Sequence, residues 1–295
     1  MKKWLLAAFF TFAAFNGFCA AAEELINKGD ALMEQEKYGE AAVMYKEAEK
    51  TAPENLLMGI YLNLGICYRK INDYDSAIEY YKKAAVISPE MPDIYYNAGL
   101  AYYYKGEYKK AVPFYKKAIS ISREYTEAYG AMAMAYRDMG NSKLAINTIM
   151  KAIKINPDYA GGYNILGNCL EDNKEHEKAI EMYKRAIRLR PNYSAAFFNL
   201  GWVYDEMGQY INAIDAYNQA AVMENADPGV FYNLGVTYMK VGSWYNAEDA
   251  FRKAIRLDPE HKEAYDNLVI ALRKNNMGRE AEKWEQIRIQ RFGAK

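Results

Sequence analysis

Two histidines and three cysteines are all the imidazole and thiol chemistry that the 295 residues offer. His176 and His261 have no third histidine and no His-x-x-x-His pair, so a zinc site lacks a ligand set. Gly162 to Gly167 has the glycine spacing of a phosphate loop but lacks the Lys-Ser/Thr that would follow it. Carboxylates are plentiful, yet acid–base work needs a pocket that separates their pKa values, and nothing in their spacing points to one. Asparagine is different. Asn63, Asn97, Asn199, Asn233 and Asn267 stand at intervals of 34 residues or multiples of 34, with Asn27 a further 36 upstream. A carboxamide donates and accepts, so such a row can pair with the backbone of an extended peptide whatever its side chains. The same row can also support packing between successive elements, and both readings stay open on sequence alone.

The elements that would carry this row follow from its period. Ala77, Ala111, Ala145, Ala179, Ala213, Ala247 and Ala281 share the 34-residue step, as do Ala84, Ala118, Ala152, Ala186, Ala220 and Ala254. Gly65, Gly99, Gly167, Gly201 and Gly235, and Pro89, Pro157, Pro191 and Pro259, keep the same phase. With the glycine at position 8, repeats begin at about residues 22, 58, 92, 126, 160, 194, 228 and 262. Aromatics fall at position 4 (Tyr61, Tyr95, Phe197, Phe231), position 11 (Tyr68, Tyr102, Tyr204, Tyr238) and position 24 (Tyr45, Tyr81, Tyr115, Tyr183, Tyr217, Phe251). Positions 4, 7, 8 and 11 share one face of a helix, and positions 20, 24 and 27 share one face of a second. Gly106, Gly140, Gly208 and Gly242 open the turn between them, and the prolines end the second helix. Glycine inside a helix costs about 1 kcal/mol relative to alanine, so its recurrence implies that a side chain there would hold two helices apart. Most of the 28 tyrosines are therefore core.

The order aromatic, Leu-Gly, Tyr, Ala, aromatic, Ala, seen in Phe197, Leu200-Gly201, Tyr204, Ala213, Tyr217 and Ala220 and closed in other repeats by proline, resembles the tetratricopeptide repeat (TPR) family. The resemblance covers residues 22–295. It implies an all-α fold, an α-α superhelical solenoid of about eight helix-turn-helix units, with first helices on the concave wall. Departures occur: Ala133 and Val269 replace the glycine, Arg123 and Asn225 the proline, and Glu285 and Arg288 the core aromatic and alanine of a last unit that reads as a C-terminal cap. Pro113, within a second helix, should cost a hydrogen bond or a small bend. Cys67 and Cys169 occupy equivalent small slots three repeats apart, too far for a disulfide. His176 fills a turn slot that is aromatic elsewhere, and His261 is expected in a solvated turn. The repeats consume residues 23–295 as one solenoid and leave no room for a catalytic domain, so no enzyme activity and no cofactor are expected.

In some TPR proteins an asparagine row at position 6 holds extended peptide, and the resemblance implies a similar role here. The expected peptide-binding residues are Asn199, Trp202, Phe198, Asn233, Tyr232 and Asn267 in a larger subsite, with Asn63, Asn97, Tyr96 and Tyr103 in a smaller one. An inward tryptophan is a typical hot-spot residue. The charges on this face are graded, with Arg69 and Lys70 at one end, Lys240, Arg273 and Lys274 at the other, and Glu171, Asp172, Asp205 and Glu206 between. The family's dicarboxylate clamp needs lysine at position 5, which never carries one here.

Residues 1–22 read as a secretory signal peptide: Met1-Lys2-Lys3, an apolar run from Trp4 to Phe15, then Ala20-Ala21-Ala22. Residues 4–22 also approach the length of an uncleaved anchor, and Cys19 raises a lipoprotein reading that the preceding Phe18 disfavours. The expected location is periplasmic or secreted, with membrane contact only through this segment. Lys plus Arg and Asp plus Glu are 38 each, which disfavours unselective nucleic-acid binding. The sequence thus points to a non-catalytic scaffold of a bacterial envelope that binds a partner polypeptide on its concave face. The alternative is a structural subunit of an envelope machine, for outer-membrane assembly or motility, that uses the convex face and ends.

Overall fold

A computed structural model describes residues 20–223 and 227–293, so most of the expected leader lies outside the described residues. Its last three residues, 20–22, open the first helix, with Ala22 buried. The described residues form sixteen helices and no strand: α1 (20–34), α2 (Tyr38–Glu49), α3 (Glu54–Lys70), α4 (Tyr74–Ile87), α5 (Pro92–Tyr104), α6 (Tyr108–Ile121), α7 (Thr126–Asp138) and α8 (Ser142–Ile155), then α9 (Ala160–Asp172), α10 (His176–Leu189), α11 (Ser194–Glu206), α12 (Tyr210–Ala221), α13 (Pro228–Lys240), α14 (Trp244–Leu257), α15 (Lys262–Lys274) and α16 (Gly278–Phe292). The contacts divide the chain into two compact units between Ile155 and Asn156. In each unit, helices pair antiparallel within a repeat and each pair packs on the next. Successive first helices also touch, α3 with α5 and α5 with α7 in one unit, α9, α11, α13 and α15 in the other. None of the described helices is long and apolar enough to cross a membrane.

The glycine ladder has the cause its recurrence implied. A Cβ on Gly65, Gly99, Gly167, Gly201 or Gly235 would lie 2.4–2.7 Å from the ring at position 24 of the same repeat, Tyr81, Tyr115, Tyr183, Tyr217 or Phe251. Where the glycine is lost the ring is lost with it: Ala133 faces Ile149, and Val269 shares its repeat with Glu285. The alanines at positions 20 and 27 are all fully buried, so the two helices of a repeat approach as closely as their backbones allow. Burial of the ring without Cβ interference fixes the pairing.

Position 15 adopts positive φ in every repeat: Glu36, Asn72, Gly106, Gly140, Lys174, Gly208, Gly242 and Asn276. The N–H of position 16 bonds the carbonyl of position 11 each time, as Glu175 to Leu170 at 2.9 Å and Gln209 to Tyr204 at 2.8 Å. This is a Schellman ending, which satisfies carbonyls the helix leaves free. Lys174 meets the left-handed backbone with a side chain, at a cost of about 1 kcal/mol. Lys174→Gly is expected to raise stability by roughly 0.5–1 kcal/mol, read as a higher melting temperature. A lowered one would show that the turn does not set this local strain. Its exposed contact to Glu171, at 3.7 Å, is too weak to offset the gain.

One local detail differs from expectation and one follows it. The first helix of the second repeat starts at Glu54, before Met58, because extended Pro53 fixes the start and Glu54 favours the N-terminal turn. Helix α6 runs on through Pro113, which is exposed and cannot donate to the carbonyl of Lys109.

Candidate functional site

In three repeats the tip of the position-24 side chain reaches position 9 or 12 of its own first helix. Tyr45 Oη donates to Asp30 at 2.5 Å and lies 3.2 Å from Met33 Sδ. Tyr183 Oη donates to Asn168 Oδ1 at 2.8 Å, and Glu285, where the ring is absent, pairs with Arg273. The asparagine row bonds into this geometry. Asn63 donates to Tyr45 Oη at 3.2 Å and to Asp30 at 3.3 Å in the preceding repeat. Asn199 donates to Asn164 and Asn168, both at 3.0 Å. Where the preceding position 9 is apolar, the amide turns elsewhere. Asn97 and Asn233 donate to the carbonyls four residues back, Asp93 at 2.9 Å and Gly229 at 3.0 Å, and Asn267 donates to Tyr232 Oη at 3.4 Å. Asn63, Asn199 and Asn267 thus knit adjacent repeats together, while Asn97 and Asn233 bond within their own helices.

The position-5 aromatics are half-buried, each against the ring at position 24 of its own repeat. Tyr96 lies 6.2 Å from Tyr115, Phe198 5.8 Å from Tyr217, and Tyr232 6.0 Å from Phe251, between ring centres. Tyr232 also lies 4.4 Å from His261, which the sequence placed in solvent. The ring of Tyr232 covers the imidazole, and Glu263 Oε2 lies 3.3 Å from its Nδ1. Tyr103 donates to Asp138, and burial together with that carboxylate raises its pKa. Trp202 stands apart. Its side chain is 42 % exposed and makes no ring contact or hydrogen bond among the described residues.

Position 9 therefore forms the open strip. In the C-terminal unit it presents Trp202, half-buried Val236 and exposed Ile270, and in the N-terminal unit Ile66, Leu100 and exposed Met134. The expected charge gradation is partly cancelled. Lys240 pairs with Asp205, which also accepts from Thr237 Oγ1 at 3.0 Å, and Lys274 lies 5.6 Å from the Trp244 ring centre. Cys67 is a buried free thiol, and Cys169 is buried as well. Among the described residues no group of three or more His, Cys, Asp and Glu could hold a metal.

The sequence reading named Arg69 only as a charge. Its Nε is buried without a hydrogen bond, as are the hydroxyls of Tyr81 and Tyr115. Apolar Ile66 and Leu100 occupy the position-9 slots of their two repeats, where Asp30 and Asn168 satisfy Tyr45 and Tyr183. The signal was available: an apolar position 9 in front of a position-24 tyrosine leaves that phenol without its usual acceptor.

Sequence models described as tetratricopeptide repeat or TPR repeat match residues 65–106, 92–125, 126–159, 158–221, 203–242 and 228–261. Together they cover more than half the chain. No curated protein matches it in sequence. Among solved structures, a tetratricopeptide repeat protein from Parabacteroides merdae is 18 % identical, with a TM-score of 0.67 over 86 % of this chain and 99 % of that one. The Cut9–Hcn1 hetero-tetramer of APC/C gives 20 % identity and a TM-score of 0.63 over 84 % of this chain, which spans only 55 % of the Cut9–Hcn1 chain. Pseudomonas aeruginosa pilF gives 20 % identity and a TM-score of 0.61 over 70 % and 94 %. At such identities the likeness is one of fold, an all-α array of helix-turn-helix repeats. With the family's own sequence pattern running unbroken from residue 65 to 261 and that fold around it, the chain belongs to the tetratricopeptide repeat family.

Proposed function

We propose that the protein is a non-catalytic scaffold of a bacterial envelope, exported by its N-terminal segment, that holds a partner polypeptide along the exposed faces of its first helices. Family membership supports a protein-interaction role. The observation that carries the site is Trp202, an exposed indole with no partner of its own, in line with Val236 and Ile270. Large aromatics of this kind dominate interface energies once desolvated. The asparagines at position 6 divide. Asn199 is committed to Asn164 and Asn168, so its role is first to hold repeats together, whereas Asn233 keeps its carboxamide oxygen for a guest.

The test uses capture of a partner from envelope extract. Trp202→Ala, Asn199→Ala and Asn233→Ala together are expected to abolish capture while the helices stay folded by circular dichroism. Trp202→Ala alone should weaken capture roughly 30-fold and leave the melting temperature unchanged. Asn199→Ala alone should lower stability by about 1 kcal/mol through the lost amide bonds. Undiminished capture by the triple variant would remove this face from the function. A second reading, a structural subunit of a larger envelope assembly, is favoured by Ile211 and Tyr245. Both stand at position 18 of successive second helices and are 74 % and 76 % exposed. Stable co-purification of one large complex, lost on Ile211→Ser with Tyr245→Ser, would select it.

A further inference from the structure

Position 13 of one repeat meets position 17 of the repeat before it, near the turns. Three times the pair is a lysine over an aromatic ring. Lys70 Nζ lies 5.3 Å from the Tyr38 ring centre, Lys240 Nζ 5.5 Å from Tyr210 and Lys274 Nζ 5.6 Å from Trp244. All three fall within the roughly 6 Å over which a ring face attracts a cation. In the third repeat Tyr104 takes the lysine's place and stacks on Tyr74, with ring centres 6.5 Å apart. In the fourth, position 13 is Asp138, and the ring before it is Tyr108.

Asp138 closes an aromatic corner. Tyr103 Oη donates to Asp138 Oδ2 at 2.5 Å, and the Tyr103 ring centre lies 5.3 Å from that of Tyr108 and 5.5 Å from that of Tyr104. A carboxylate accepts from several donors, so the bond from Tyr103 does not use it up. Asp138 and Tyr104 are exposed and the other two rings are half-buried, so the corner is open to solvent. A surface cavity of about 360 Å³ runs beside it, lined by Gly106, Glu107, Tyr108, Lys109, Lys110 and Met139. The chain's own cations are committed elsewhere. Lys105 pairs with Asp75 at 2.5 Å and Glu107 at 3.4 Å, Lys110 pairs with Glu107 at 2.7 Å, and Arg137 has a partner of its own. Lys109 stands at position 18, which faces solvent as Ile211 and Tyr245 do. The seat that lysine fills in three other repeats therefore keeps its ring, gains a carboxylate and lacks its cation. An anion would meet Asp138 as a like charge, and an apolar group would cover that carboxylate without pairing it. An ammonium satisfies both the ring face and the carboxylate.

We propose that Tyr103, Tyr108 and Asp138 form a seat for a lysine ammonium of the bound polypeptide. The assignment to a polypeptide rests on the function proposed above, whereas the preference for an ammonium does not. Carbon-13 labelling of the tyrosine rings in the full chain gives the signals to follow, and Tyr108→Leu identifies that of Tyr108 by its loss. Acetyl-Gly-Lys-Gly-amide, added at constant ionic strength, should move the Tyr108 signal along a saturating curve. Asp138→Asn keeps an acceptor for Tyr103 and should raise the midpoint about threefold or more, the loss of one exposed charge pair. Asp138→Lys recreates the arrangement at Tyr38, Tyr210 and Trp244. It should move the Tyr108 signal without peptide and abolish the response to peptide. Three results would overturn the seat: a shift that sodium chloride alone reproduces, a midpoint unmoved by Asp138→Asn, or an equal response to acetyl-Gly-norleucine-Gly-amide, which lacks the charge. Butylammonium, the bare side chain, then separates the sources. A peptide midpoint below that of butylammonium supports a polypeptide guest. A midpoint equal or higher points to a free amine and overturns that assignment, without bearing on whether Trp202 captures a partner.

Discussion

Gly99→Ala is expected to cost about 2–3 kcal/mol, although alanine is the better helix former by about 1 kcal/mol. The new methyl would sit 2.5 Å from the Tyr115 ring, which is fully buried and cannot swing away. Tyr115→Ile alone is expected to lose a similar amount or more, through the cavity it leaves. Together the two changes should cost much less than their sum, with a favourable coupling of about 1–2 kcal/mol. The chain supplies the precedent, since Ala133 and Ile149 already share one repeat with both side chains fully buried. Chemical denaturation of the four proteins gives the coupling directly. Simple additivity would mean that the close approach of the two helices is not what selects glycine.

Alkaline solution should unfold the protein through its buried acids. Burial pushes the Cys67 thiol up to about 12 from an ordinary value of 9.0, and Tyr81 up to about 12 from 10.0. Folded-state values above unfolded ones mean that stability is complete below about pH 9 and falls as pH rises towards 12, because only the unfolded chain ionises freely. At about pH 11 the two groups together remove about 4 kcal/mol, most of it from Cys67. Tyr45, Tyr115 and Tyr217 are raised as well, all with burial as the first cause, and steepen the loss beyond that. Melting temperature against pH measures this, and Cys67→Ala should remove about 2 kcal/mol of the fall between about pH 9 and 11, the largest share of any single group. A flat profile would contradict the burial of both groups.

The helix pairs were legible in the sequence because one physical requirement repeats. A glycine, two alanines and a large ring must coincide for two helices to close, and all four recur in step. The left-handed residue was legible at Gly106, Gly140, Gly208 and Gly242, but not at Glu36 or Lys174, where the Schellman bonds of the whole turn override the preference of the side chain. The asparagine row was legible as a row and not as a function. Which partner an asparagine bonds depends on the side chains of the repeat before it, an acidic or amide position 9 for Asn63 and Asn199 and the Tyr232 hydroxyl for Asn267, and a single residue's spacing does not carry that dependence. Tyr96, Phe198 and Tyr232 were read as peptide-binding residues from their position alone, and that reading could not show that each leans on the ring at position 24 of its own repeat. His261 was read as solvated because a turn usually is, but Tyr232 reaches across to cover it. Arg288 shows the same effect: it takes the alanine slot of the last repeat, is 6 % exposed, and sets its Nε 3.3 Å from Asp266.

The side-chain bonds that join one repeat to the next span few residues, about 35 at the longest, as between Asn199 and Asn164 or Tyr103 and Asp138. Each joint can close as soon as the following helix has left the ribosome, because loop closure over so short a span costs little entropy. Assembly can therefore proceed vectorially, one hinge after another. The same short reach means that stretching the chain from its ends should yield a sawtooth of small force peaks in place of one abrupt rupture.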